Sequence, residues 1–298
     1  MFSCNRWLVF WFVCRPTLGL LQKDNDSFWK CWKSKFSSPK TGVHVVDGCT
    51  NVSILLNRLQ IFSRVCRPNS AAQNDVLYDQ FVSQFDSYVG AQLDLSVSLL
   101  DVAASIGKLK KGKAPGNDGI MAEHLLHCHL IIFYVLLKLF KAIVSHRYVP
   151  MTFGAGIVIP LLKNAGLDKS NMDNYRAITI SPVISKVFES YLLCTMQNFV
   201  FTSELQFGFK ANKGCRDAMS VLCNTRDGSI VNIACLDMST AFDRVNFYAL
   251  SSKLVKLSVP KSFISIILDW YGKVLVSVKW NNSVSAPRRL LAGVHQAG

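Results

Sequence analysis

Between Ser229 and Asp243 the chain reads SIVNIACLDMSTAFD. Ile230 to Leu236 is nearly all apolar and contains neither Gly nor Pro. A short apolar run of that kind predicts a strand buried on both faces. It ends in a carboxylate, Asp237, and a second, Asp243, follows just past an aromatic, Phe242. A charge at the tip of a buried strand is costly unless something pairs with it. A divalent cation is one such partner.

The totals agree with a folded, anion-seeking protein. Half of the 298 residues are hydrophobic, enough for a sizeable core, and this excludes a disordered chain. Lys and Arg outnumber Asp and Glu to give a formal charge of +14. That balance favours nucleic acid or an anionic membrane surface as partner. The ten cysteines show no CxxC pair, which fits a reduced protein better than a disulfide framework. The apolar run WLVFWFV at residues 7 to 13 is short, is ended by Arg15 and Pro16, and lacks a clear cleavage pattern. The expectation is an intracellular protein, nuclear or cytoplasmic, neither secreted nor membrane-bound.

Taken in order, residues 1–22 receive no function. Residues 23–100 predict a helical connector. Phe28, Trp29, Trp32 and Phe36 recur at helical spacing beside Lys30, Lys33 and Lys35, as a packing face or a base-stacking one. A second helix is expected over Val76 to Val89, with Leu77, Phe81, Phe85 and Val89 on one face. Val102 to Leu109 predicts a short helix leading into a basic loop. That loop, with Lys108, Lys110, Lys111, Lys113, Pro115, Gly116 and Gly119, is equally a phosphate cradle or a solvated turn. His124, His127, Cys128 and His129 look like metal ligands, but their spacing and the lack of a second ligand pair favour a structural role. A long apolar helix is expected from Leu125 to Val144. Ile157 to Leu162 predicts a strand, and Pro182 to Leu192 a helix whose stripe is core packing without chemistry. Helices are expected over Phe247–Leu257 and Phe263–Trp270. A hairpin should follow, Val274–Trp280 turning at Asn281 and Asn282 into Val284–Leu290.

Four stretches occur in a telling order: GKLKKGKAPGNDGI (Gly107 to Ile120), VIPLLKNAGLDKSNMDNYRAITISPVISKVFE (Val158 to Glu189), LQFGFKANKGCRDA (Leu205 to Ala218) and LDMSTAFDRVN (Leu236 to Asn246). The last six residues, GVHQAG, make a fifth. Together they resemble the reverse transcriptase domain of non-LTR (LINE-type) retrotransposons. The resemblance implies an α/β fold of right-hand polymerase type, with fingers over 101–228 and the start of a palm over 229–298. The sheet should be mostly antiparallel and left with an open edge.

The resemblance also implies roles. Asp237 would be the catalytic carboxylate that bridges two Mg²⁺ ions, with Asp243 organising the turn after it. Arg176, in the motif NYR, and more weakly Lys163 would clamp an incoming deoxynucleoside triphosphate, unless Arg176 merely caps its loop. Phe242 would crowd a ribose 2′-hydroxyl, or simply fill core. Gln296 would lie against the nucleotide. Lys110, Lys111, Lys113, Lys210 and Lys213 would touch nucleic acid, an RNA template paired with a DNA primer.

Four departures stand out. Ala177 replaces the Pro that follows Arg176 in the family, which is expected to loosen the turn. Lys213, Gly214 and Cys215 replace a hydroxyl-bearing run, and Ala297 replaces a Gly. The chain stops before the family's paired-Asp box, and no Asp-Asp dipeptide occurs in it. The expectation is a polymerase-derived polypeptide that cannot polymerise alone. Competing readings are a non-catalytic nucleic-acid-binding remnant and a metal-dependent phosphohydrolase, which would need more ligands than the sequence offers.

Overall fold

A computed structural model describes residues 71–91, 96–164, 166–171, 174–199, 202–210, 212–224, 242–281 and 283–294. The connector aromatics, the expected strand Ile230–Leu236, Asp237 and Gln296 lie outside them. Elements are numbered among the described residues.

Helix α1 (Ala71–Asp86) packs on α7 (Phe247–Lys256) through aromatic rings: Tyr78 and Phe81 meet Tyr248 at 5.1 and 6.2 Å. The expected face is only partly realised. Phe81 is buried, but Val89 lies beyond the helix end and is 77% exposed, because Tyr88 and Gly90 (φ 70°) turn the chain away. The Tyr88 hydroxyl donates to the Val259 carbonyl at 2.6 Å and fixes that exit.

Helix α2 (Leu99–Gly107) starts on a capping box. Ser98 Oγ accepts from the Asp101 amide, and the Asp101 carboxylate accepts from the Ser98 amide. After the basic loop come α3 (Ala122–Leu126) and α4 (Leu130–His146). The single long helix expected from Leu125 to Val144 is thus broken at 127–129. The reason is local: His129 Nδ1 accepts the Ile131 amide at 3.2 Å, so the imidazole caps a new helix where the old one would have continued.

A 3₁₀ turn (Met151–Gly154) leads into strand β1 (Ala155–Leu162), which pairs antiparallel with β2 (Tyr175–Ile180). Helix α5 (Val183–Met196) follows, with Pro182 as its N-cap rather than its first residue. Its expected stripe is buried at Val183, Val187, Phe188, Tyr191 and Leu192, while Ile184 is half-buried. Helices α6 (Cys215–Asn224), α7 and α8 (Lys261–Tyr271) come next, α7 after a 3₁₀ turn at Phe242–Arg244. Strand β3 (Leu275–Trp280) turns at Asn281 (φ 53°) into two short returns, β4 (Ser283–Val284) and β5 (Arg288–Arg289). The return is interrupted because Ser285 Oγ takes the Val278 amide, so a side chain stands in for the ladder.

The strands form one mixed sheet in the order β2-β1-β3-β4, with β5 also beside β3. β1 and β3 run parallel, Ala155 opposite Leu275 through Val158 opposite Val278. The other three pairings are antiparallel. Pro160 sits in β1 beyond the β3 pairing, so its missing N–H costs no bond on that side.

The core lies where α4, α5 and α8 meet. Phe188 is fully buried, with ring centroids of Phe140 at 5.0 Å, Trp270 at 5.8 Å, and Phe153 and Tyr191 at 6.1 Å. A polar clamp closes one side. Asp269 Oδ2 accepts from the Val149 amide at 2.6 Å and from Lys273 Nζ at 2.7 Å. Lys273 in turn reaches the Val149 carbonyl and lies 3.4 Å from the Tyr148 ring centre. Among the described residues no helix is long and apolar enough to cross a membrane.

Candidate functional site

The β1–β2 hairpin positions two of the predicted phosphate contacts. Its register sets Leu161 opposite Arg176 and Leu162 opposite Tyr175. The Lys163 amide then donates to the Asn174 carbonyl at 2.8 Å, so the ladder continues one residue past β1. With side chains alternating, Lys163 and Arg176 fall on the same face of the hairpin, diagonal neighbours. Both are exposed.

The loop joining the two strands is held by its own polar groups. The Asp168 carboxylate accepts from the Ser170 hydroxyl and, secondarily, the Ser170 amide, which hold its carboxyl below the usual range. Asn174 Nδ2 and the Tyr175 hydroxyl donate to the carbonyls of Asp168 and Lys169. Tyr175 is buried edge-on against Trp280 at 5.5 Å.

Ala177 does not lie in a turn, contrary to expectation. It stands inside β2, opposite Pro160. The Lys163–Asn174 bond fixes which amides of β2 face β1, and by alternation the Ala177 amide faces away. β2 is the last strand on that side of the described sheet, so Pro and Ala are equally compatible with the ladder there.

A second group gathers around Phe242. That ring is 39% exposed and meets Phe209 edge to face at 5.8 Å. Among the described residues it is therefore only partly covered. Phe209 is 91% exposed and holds a left-handed backbone (φ 57°), a conformation uncommon for a residue with a side chain. It stands in the QFGF motif, and its position beside Phe242 could not be read from spacing.

The chain after α8 comes back to the same place. The Gly293 amide donates to the Val245 carbonyl at 2.8 Å, and the Val294 amide to Phe242's at 2.9 Å. The start of GVHQAG is thereby bonded to the end of LDMSTAFDRVN, although Gln296 and Asp237 themselves lie outside the described residues. Asn246 closes the corner: its Oδ1 caps α7 by accepting from the Tyr248 and Ala249 amides, and its Nδ2 donates to Asn74.

The predicted nucleic-acid lysines separate into two sets. Lys210 reaches the Ser203 carbonyl at 3.4 Å, and Lys213 is exposed just before α6, where Asp217 accepts the Gly214 amide. Lys110, Lys111 and Lys113 are exposed on the loop between α2 and α3. That loop is built rather than loose. Gly112 (φ 74°) donates its amide to Glu123 Oε1 at 2.6 Å. Gly116 is buried so close to Pro182 that an added Cβ would stand 3.0 Å from its Cα. The Gly112 amide, above all, holds the Glu123 carboxyl below its usual range against the opposing pull of desolvation.

The cysteine and histidines near this loop have structural duties. His124 Nδ1 accepts the Met121 amide, His129 caps α4, and Cys128 donates to the Leu125 carbonyl. Among the described residues no group of three or more potential ligands could hold a metal ion. Asp269 is committed to Val149 and Lys273.

Comparison with known proteins bears on the same stretches. Residues 165–296 match the family described as reverse transcriptase (RNA-dependent DNA polymerase). A probable RNA-directed DNA polymerase from transposon X-element of Drosophila melanogaster is 28% identical over 219 residues, covering 69% of this chain and 24% of the relative. The RNA-directed DNA polymerase from mobile element jockey of Drosophila funebris is 29% identical over 215 residues, 67% of this chain and 23% of the relative. A probable RNA-directed DNA polymerase from transposon BS of Drosophila melanogaster is 24% identical over 287 residues, 91% of this chain and 31% of the relative. The chain thus spans only a quarter to a third of the length of these relatives. On its motifs, its matched region and these relatives, the chain resembles the reverse transcriptases of LINE-type retrotransposons.

Proposed function

We propose that this chain is the fingers (101–228) and the opening of the palm (229–298) of an RNA-directed DNA polymerase from a non-LTR retrotransposon, preceded by a helical connector over 23–100. The observation that carries this reading is the return of Gly293 and Val294 onto Val245 and Phe242. It brings the segment leading to Gln296 beside the box that contains Asp237. The shared face of Lys163 and Arg176 adds a place for a triphosphate, since a guanidinium donates to two phosphate oxygens at once.

In this reading Asp237 is the Mg²⁺ ligand, Phe242 tests the sugar's 2′-position with Phe209 braced against it, and Gln296 lies along the nucleotide. The partners are an RNA template, a DNA primer and deoxynucleoside triphosphates, met inside the cell. Bound Mg²⁺ would supply charge stabilisation at the reacting phosphate.

These 298 residues contain no Asp-Asp dipeptide, and Asp269 is already held by two donors. A pair of metal ions needs several converging carboxylates. We infer that a polypeptide of these residues alone does not extend a primer. A primer-extension assay with Mg²⁺ and deoxynucleotides should show no product. Robust extension, abolished by Asp237→Ala, would overturn the inactivity.

A non-catalytic role in holding nucleic acid is the second reading. It is favoured by the net charge of +14 and by the single ion pair, Lys273–Asp269, among the described residues.

A further inference from the structure

A cleft of about 310 Å³ opens between the end of α2, the basic loop, the start of α3 and the first turns of α5. Lys108, Lys110, Lys113 and Lys186 line it, with Glu189 the one carboxylate. The Lys108 ammonium is 2.7 Å from Cys194 Sγ. The side-chain ammonium groups of Lys110, Lys113 and Lys186 make no hydrogen bond or ion pair among the described residues. Desolvation raises the Glu189 carboxyl, and Lys186 pulls it the other way.

Four lysines against one carboxylate give this concavity a net positive lining, which favours an anion there. The three rotatable donors of each ammonium suit the tetrahedral oxygens of a phosphate. Leu109, Ile120 and Val183 add an apolar wall, such as a sugar or base edge can lie against. The volume is at the small end of ligand sites, which run from roughly 300 to 1,000 Å³. That is room for one nucleotide unit, not for a duplex. The walls are fixed in place: Glu123 holds Gly112, and Gly116 abuts Pro182.

We propose that this cleft seats one nucleotide of a single-stranded nucleic acid, with its phosphate among Lys110, Lys113 and Lys186. The proposal rests on the nucleic-acid-binding reading above and narrows it to a pocket that includes α5, a helix whose sequence pattern spoke only of packing.

The test is fluorescence anisotropy of a labelled single-stranded oligonucleotide across a salt series, with the intact 298-residue chain. Removing one lysine–phosphate interaction flattens the slope of log K against log salt by about 0.7 for single strands. Lys186→Gln and Lys113→Gln should each weaken binding and flatten the slope by that amount. Lys141→Gln, exposed on α4 away from the cleft, should leave it unchanged. Circular dichroism melts identical to the parent chain would show that the variants are folded. Parent-like slopes in both cleft variants would overturn the pocket while leaving nucleic-acid binding intact. No binding by the parent chain would remove the underlying reading itself. Adenosine monophosphate bound as tightly as the oligonucleotide, with the same dependence on Lys186, would reassign the cleft to a free nucleotide.

Discussion

Glu123 Oε1 takes the Gly112 amide, while its Oε2 is buried with no hydrogen-bond partner among the described residues. The carboxylate is thus held chiefly by one loop amide, against the pull of desolvation, with Lys111 adding a smaller attraction. Its folded-state pKa is depressed, so the stabilisation is fully present above the ordinary glutamate value of about 4.3 and is lost as pH falls through the lower folded value. The Gly112 amide should therefore shift with pH in an NMR titration below about pH 4.3. Glu123→Gln keeps an acceptor but cannot titrate, and is expected to leave that amide unmoved over the same range. A pH response that survives the substitution would show that another group holds the loop. Phe209 shows the opposite economy: a strained, exposed residue whose described ring contact is Phe242. Strain of that kind costs of order 1–3 kcal/mol and persists only where the surroundings impose it.

The elements most legible in the sequence are those whose pattern and caps agree. Helix α5 follows its apolar stripe, and α7 begins one residue after Asn246, as an N-cap requires. Asn246→Ala should cost about 1 kcal/mol from the cap, with a further loss from the bond to Asn74. Urea denaturation measures this, and an unchanged midpoint would show that α7 is held by packing alone. Less legible was the break between α3 and α4. Apolar periodicity runs straight through residues 127–129, and only the capping imidazole of His129 interrupts it. The parallel pairing of β1 with β3 was not legible either, because the strands are brought together by helices between them, not by a turn with a sequence signature. Of the site, Arg176 and Lys163 could be named from motifs, but their common face required the register. Lys186 was hidden because its helix announces itself as core.

At the scale of the whole molecule, one aromatic cluster joins α4, the 3₁₀ turn before β1, α5 and α8, with Phe188 at its centre. Phe188→Ala should cost about 3–5 kcal/mol, a large share of the roughly 5–15 kcal/mol that stabilises a typical domain. A thermal melt should show the loss, and a parent-like melting temperature would mean that the four elements do not stand or fall together. The sheet divides the chain differently from any motif: β1 belongs to the stretch read as fingers and its parallel neighbour β3 to the stretch read as palm. During synthesis, then, the β1–β2 hairpin leaves the ribosome with one flank of β1 bare until Leu275 has followed it out. Over that interval the unpaired amides are open to a chaperone, or to the same strand on a neighbouring nascent chain.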